Sequence, residues 1–162
     1  MKYNTQTDWA AVENLISDWR AQACSNQDLH ARAAKHYRKM HYWLGIPVVV
    51  ISSAVGSVAF ASLHEQGNDR IRLAAGIISM VAAILASLQT FLGFGERAEK
   101  HRAVGIGYER VRQEIEEIQG LPVHLRGNVK ERLDVLREKM DALADDSPEV
   151  PRALSDKTER HA

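Results

Sequence analysis

Two uncharged, mostly apolar runs dominate this sequence, Trp43–Leu63 and Leu73–Phe94, with only His64–Arg72 between them. At a rise of about 1.5 Å per residue, each run makes a helix roughly 30 Å long, the thickness of a bilayer's hydrocarbon core. Neither run contains a Lys, Arg, Asp, Glu or His. A soluble core helix of this length ordinarily carries a charged outer face. The pattern predicts an all-α protein built on a two-span transmembrane helical hairpin. The competing arrangement is a buried hairpin inside a soluble bundle.

Size and charge narrow the rest. A chain of 162 residues accommodates one membrane hairpin and one modest cytosolic helical layer, without room for a separate catalytic domain of ordinary size. Lys+Arg and Asp+Glu balance at 21 each, so no global field favours nucleic acid and no nucleic-acid partner is expected. The slightly negative mean hydropathy averages two apolar spans with polar flanks. Cys24 is the only cysteine, which removes an intrachain disulfide and a cysteine-based zinc site. The first apolar run lies behind a charged helical segment, unlike a cleaved signal peptide, so it is expected to stay as an anchor.

Orientation follows from the basic residues near the span ends. Arg32, Lys35, Arg38 and Lys39 precede the first span, Arg97, Lys100 and Arg102 follow the second, and the loop carries Arg70 and Arg72. The positive-inside bias puts both termini in the cytoplasm. Tyr37, Tyr42 and Trp43 are expected at the inner headgroup level, where aromatic rings with polar tips are favoured. The resulting division is cytosolic N-terminal helices over 1–42 and a hairpin over 43–94 (spans 43–63 and 73–94, loop 64–72). Cytosolic C-terminal helices over 95–146 and a disordered tail over 147–162 complete it.

The flanks read as amphipathic helices. Trp9, Val12, Ile16, Trp19 and Ala23 recur at spacings of three and four, a seam that packs on another helix. Ser25–Asp28 reads as a turn and capped restart, after which Leu29, Ala33, His36 and Met40 continue a stripe into the first span. Pro47, one turn inside that span, is expected to kink it. Beyond the second span, Val104, Tyr108, Val111, Ile115 and Ile118 repeat the pattern, so that span is expected to continue as one long helix. Gly105 and Gly107 within it suggest close approach of another backbone, or a hinge. Gly120-Leu121-Pro122 ends the helix. A last helix over about 123–144 carries Leu125, Val129, Leu133, Leu136, Met140 and Leu143. The three seams pack into an intrachain bundle or into a homo-oligomeric stalk.

Turning the second span at about 100° per residue puts Ala75, Gly76, Ser79, Ala82, Ala83, Ala86, Ser87 and Thr90 on one side. Bulky aliphatic residues fall on the other. Small residues let helices approach closely in lipid, so Ser79, Ala83, Ser87 and Thr90 are candidates for a packing face or a pore lining. In the first span two small stripes, Gly45–Ser52–Gly56–Ala59 and Ser53–Ser57–Ala61, leave Val48, Ile51, Val55 and Val58 for lipid. Two small faces suggest contact with both the hairpin partner and a neighbouring subunit, hence a homo-oligomer. No charge inside either span marks a proton relay or voltage sensor. The short loop cannot build a re-entrant selectivity filter.

Catalytic signatures are missing: no phosphate-cradling glycine loop, nucleophile elbow or metal-spaced carboxylate cluster occurs. His36, His41 and His101 read as hydrogen-bonded or solvated side chains at the inner membrane face. Glu96 and Glu99 beside Arg97 and Lys100 read as a solvated ionic girdle, with a charged ring at a pore mouth as the alternative. No enzyme activity and no cofactor is expected.

The stretch after the second span, with Phe94, Glu96, Ala98, His101, Tyr108 and Glu114, fits an aromatic, Ala, His, Tyr, Glu-Ile pattern. Together with the hairpin, over roughly residues 10–120, it resembles the SLATT family, the SMODS- and SLOG-associating two-transmembrane effector domains of bacterial conflict systems. The resemblance implies an inner-membrane effector of anti-phage defence that assembles and, when triggered, perforates or depolarises the membrane and arrests growth. It further implies a nucleotide second messenger, or its synthase or sensor protein, as partner. Within this reading His101, Gly105, Gly107 and Tyr108 are candidates for coupling a cytosolic signal to a pore. The alternatives are a non-conducting membrane scaffold that holds a soluble defence partner, and a small constitutive or tension-gated channel.

Overall fold

The computed structural model describes residues 5–61 and 69–151. Among them the regular structure is all helical, with no strand. Helix α1 spans Thr5–Ala61, α2 Asp69–Leu92, α3 Phe94–Gly120 and α4 Val129–Asp145, with a single 3-10 turn at Val123–Leu125. The chain divides into two compact units, one made of residues 1–34 and 99–162 and the other of residues 35–98.

The first unit is a three-helix bundle of the N-terminal part of α1 with α3 and α4. Its core joins Ile16 and Ala23 of α1, Val104, Tyr108, Val111, Ile115 and Ile118 of α3, and Leu136 and Met140 of α4. Val12, Trp19, Leu133 and Leu143 pack around them. The seams read from the sequence therefore close on one another within one chain. Each fully buried Ile, Val or Leu contributes about 1.5–3 kcal/mol by leaving water, so this core dominates the bundle's stability.

Two expectations about α1 are corrected here. The turn at Ser25–Asp28 does not form, and α1 runs through it unbroken. The helix costs of Ser, Asn and Asp are at most about 0.7 kcal/mol each. Tertiary contacts offset them, among them the Arg112 Nε that donates to the Gln27 side-chain oxygen at 3.2 Å. Because no break resets the register, the seam continues from Ala23 through Asn26, His30, Ala33 and Tyr37. The expected stripe of Leu29, Ala33, His36 and Met40 shares only Ala33 as a buried residue, and His36 and Met40 are exposed.

The link between α3 and α4 is fastened by Arg126. Its buried guanidinium donates from Nε to the Leu121 carbonyl at 2.8 Å and from Nη2 to the Gln119 carbonyl at 3.2 Å, and it pairs with Glu13 of α1. These bonds satisfy carbonyls that a helix end leaves open. The last helix starts at Val129, later than the expected 123. Gly127 takes a φ of 65° and Asn128 caps the new start, accepting from the Glu131 amide. Leu125 consequently lies outside the seam and is exposed.

The second unit is the apolar hairpin. Helix α1 is continuous through Pro47. The expected loop 64–72 falls largely outside the described residues, and α2 already begins at Asp69. On α1 the half-buried positions are Leu44, Gly45, Val48, Ile51 and Val55; on α2 they are Ala75, Leu85, Gln89 and Leu92, with Ala82 buried. Val48, Ile51 and Val55 thus line the intrachain seam instead of facing outward. At this seam Gly45 joins the aliphatic Val48, Ile51 and Val55 on α1 and lies against Gln89 of α2, where Ala75 and Ala82 alternate with the larger Leu85 and Leu92; Ser52, Ser53, Gly56 and Ser57 of the two small stripes are left exposed. The most apolar stretches of these helices are 0% and 11% buried, and both helices are long and apolar enough to cross a membrane.

Tyr37 is also placed differently from expectation. It is buried and stacks on Phe94 at 6.2 Å between ring centroids, in a cluster with Ala98, Leu44 and Leu92. Tyr42 and Trp43 remain exposed. The long helix expected across the end of the second span is interrupted at Gly93, whose φ of 55° separates α2 from α3. That left-handed conformation is open to glycine at little steric cost.

Candidate functional site

Besides the buried Arg126, the described residues of the bundle hold a buried polar cluster, at the level where the seam of α1 presents His30. The 3–4 spacing brings His30 inward one turn after Asn26, and the seam of α3 brings in His101 and Tyr108. Both histidines are almost fully buried, at 4% and 1% exposure. Their Nδ1 atoms lie 3.0 Å apart. At that distance one Nδ1 donates and the other accepts, so the neutral pair needs opposite tautomers. The Nε2 of His30 lies 2.8 Å from the Ser147 hydroxyl, just past the end of α4. The Tyr108 ring stacks on His30 at 6.0 Å and an interplanar angle of 16°.

Electrostatics keep this cluster uncharged. Burial, and secondarily the nearby His101, lower the His30 pKa to about 4. Burial also holds His101 below the ordinary histidine range. Burial raises the Tyr108 phenol, partly offset by the polar Asn26 side chain. At neutral pH the bundle therefore encloses two neutral imidazoles and a protonated phenol. Such a satisfied network specifies one arrangement of three helices, because any shift strands a buried polar group at a cost of about 1–3 kcal/mol. Among the described residues no group of three or more His, Cys, Asp or Glu could hold a metal ion.

The coupling candidates sort cleanly. His101, Tyr108 and Gly105 meet at the cluster, while Gly107 faces α4. A methyl group at Gly105 would rest in ordinary contact with His30 Cβ at 3.6 Å and the Gln27 carbonyl at 3.7 Å. At Gly107 it would overlap the Leu143 side chain. Both glycines thus mark close approach within a continuous α3, and the special backbone angle sits at Gly93. Outside the core, Glu116 accepts from Arg20 at 2.9 Å and from Arg112 at 2.8 Å, and Lys139 pairs with Glu114 at 2.6 Å. Hydrogen bonds from Arg20 and Arg112 hold the Glu116 carboxyl below its usual range, Arg20 foremost.

Ser79, Ala83, Ser87 and Thr90 belong to the hairpin unit and are all exposed in the single chain. The Ser87 hydroxyl donates to the Ala83 carbonyl at 2.9 Å and that of Thr90 to the Ala86 carbonyl at 3.1 Å. Ser53 and Ser57 on α1 do the same, to Val49 and Ser53. Hydroxyls satisfied by their own helix suit a dry surface. Sequence reasoning missed His30, Asn26 and Ser147; continuing the seam past Ala23 by three and four would have found the first two.

A family model described as "Protein of unknown function (DUF4231)" matches residues 25–109, slightly more than half of the chain, and the chain belongs to that family. The matched stretch contains the hairpin, His30, His101 and Tyr108, and excludes α4 and Ser147. Comparison with curated proteins and with solved structures gave no match.

Proposed function

We propose that this DUF4231-family chain is a SLATT-type effector of the bacterial inner membrane, which assembles through its hairpin and permeabilises the membrane when its cytosolic bundle is triggered. The observation that carries the reading is the pair of long apolar helices whose most apolar stretches are 0% and 11% buried. A soluble bundle would cover them; here lipid or further subunits must. The exposed small-residue face of α2 supports assembly, since such faces allow close helix approach where lipid supplies no hydrophobic drive. The resemblance around Phe94, Ala98, His101 and Tyr108 supports the effector role and a nucleotide signal, or the protein that makes or senses it, as trigger. Both termini then lie in the cytoplasm, with the histidine cluster in the part that receives the signal.

A second reading, a non-conducting scaffold that holds a soluble defence partner, is favoured by the back-bonded hydroxyls of Ser87 and Thr90, whose protons are already committed to their own helix. One experiment separates the two. Full-length protein is reconstituted into vesicles loaded with a small dye, and release is followed with and without lysate from phage-infected cells. Release that depends on the infected lysate is the expected result. Tight vesicles under both conditions, with the protein inserted, would overturn the pore and leave the scaffold.

A further inference from the structure

We propose that the outward face of α1 immediately before the first span binds the headgroup of an anionic phospholipid, through Lys35, Arg38 and Lys39, with Tyr42 and Trp43 against its ester region. The proposal rests on the membrane reading above and adds a lipid preference to it. From Leu29 through His64 the sequence contains no Asp or Glu. Lys35, Arg38 and Lys39 are all exposed, and none joins the ion pairs found among the described residues.

Helix geometry gathers these residues. At about 100° per residue, Lys35, Arg38, Lys39, Tyr42, Trp43 and Ile46 fall within an arc of about 140°. The opposite side of the same helix carries Tyr37 and Leu44, which pack inward with Phe94. Tyr42, Trp43 and Ile46 are 57%, 76% and 60% exposed, so most of each side chain is left uncovered by the described residues. Along the axis the order is cations, then aromatic rings about 6 Å further on, then aliphatic side chains about 10 Å further on. A phospholipid presents its phosphate, ester linkages and acyl chains in the same order.

The charge selects the headgroup. Three cations with no carboxylate among them match a phosphate that carries net negative charge, such as that of phosphatidylglycerol. The ammonium of a zwitterionic headgroup finds no counterpart on this face. The start of α3 differs, because Glu96 and Arg97 place opposite charges side by side there.

Brominated lipids test the site directly. Full-length protein is placed in phosphatidylcholine vesicles containing a minor fraction of phosphatidylglycerol, with bromine on the acyl chains of one lipid or the other. Subtracting the emission of a Trp43→Phe variant isolates the signal of Trp43. Brominated phosphatidylglycerol should quench Trp43 well beyond its mole fraction, with a relative binding constant of about five or more. That preference should fall toward one in about 1 M salt, where the screening length is about 3 Å. It should also vanish in the triple variant Lys35→Gln, Arg38→Gln, Lys39→Gln. Quenching in proportion to mole fraction, or an unchanged preference in the triple variant, overturns the lipid site and leaves the membrane reading intact. Trp43 left unquenched by either lipid overturns both.

Discussion

Acid should loosen the bundle through His30. His30 has a folded pKa of about 4 against an ordinary value of 6.5. Between these values the unfolded chain binds a proton that the folded chain refuses, so stability falls as pH falls. The contribution is fully present above about pH 6.5 and is lost on the way down to about pH 4. Linkage makes the total about 3 kcal/mol, of which about 2 kcal/mol is gone by about pH 5. His101, also lowered by burial, adds to the same slope. The lowered Glu116 carboxyl acts in the same direction but only below the ordinary carboxylate pKa of 4.5, so the window from about pH 7.5 to 5 isolates the histidines. For a bundle of this size a loss of 2 kcal/mol moves Tm by about 10 °C. Thermal unfolding of the detergent-solubilised full chain, followed by circular dichroism across that window, measures it. The readout is the slope, compared between wild type and His30→Gln, because the variant alters absolute stability for other reasons as well. A wild-type Tm that stays flat to about pH 5, or a His30→Gln slope equal to wild type, would refute the reasoning.

Other perturbations test other parts. Ile115→Ala, which opens a cavity in the fully buried core, should cost about 2–5 kcal/mol and lower Tm without removing the protein from the membrane fraction. Arg126→Ala strands Glu13 and two carbonyls, so chemical denaturation should show a loss of about 2–4 kcal/mol, and Arg126→Lys should recover only part of it. Gly105→Ala should raise Tm slightly, since it gains up to about 1 kcal/mol of helix propensity at a site with ordinary space; Gly107→Ala should not, because Leu143 occupies that space. Ser79→Leu and Ala83→Leu should shift the protein to a smaller oligomer in mild detergent while insertion is retained, and an unchanged oligomer would exclude this face from assembly.

Much of the fold was legible because apolar periodicity is a strong local signal. The two charge-free runs announced the hairpin, and the seams around Ile16, Ile115 and Leu136 announced the bundle. What misled was local composition at Ser25–Asp28: four turn-favouring or polar residues imitate a helix end, and only contacts remote in sequence, such as Arg112 with Gln27, reveal that the helix persists. That one break shifted the register and hid His30, a buried polar residue at a seam position where an apolar one is expected. Ser147 was illegible for a different reason. It lies in irregular backbone after α4, and nothing periodic connects it to α1. Val48, Ile51 and Val55 were turned outward because small residues were taken as the contact side of both helices. In the hairpin the seam mixes sizes on both helices, Gly45 beside Val48, Ile51 and Val55 on α1, and Ala75 and Ala82 beside Leu85 and Leu92 on α2.

The most direct test of the account asks on which side of a membrane the bundle lies, and the chain supplies its own probe. Cys24 is the only cysteine and is exposed on the bundle. Spheroplasts producing the full chain are treated with a membrane-impermeant maleimide before and after lysis. Cys24 should react only after lysis, and a Gln66→Cys residue in a Cys24→Ser background should react before it, with both proteins retained in the alkali-washed membrane. Labelling of Cys24 in intact spheroplasts, or recovery of the chain in the soluble fraction, would contradict a two-span membrane protein with a cytosolic bundle.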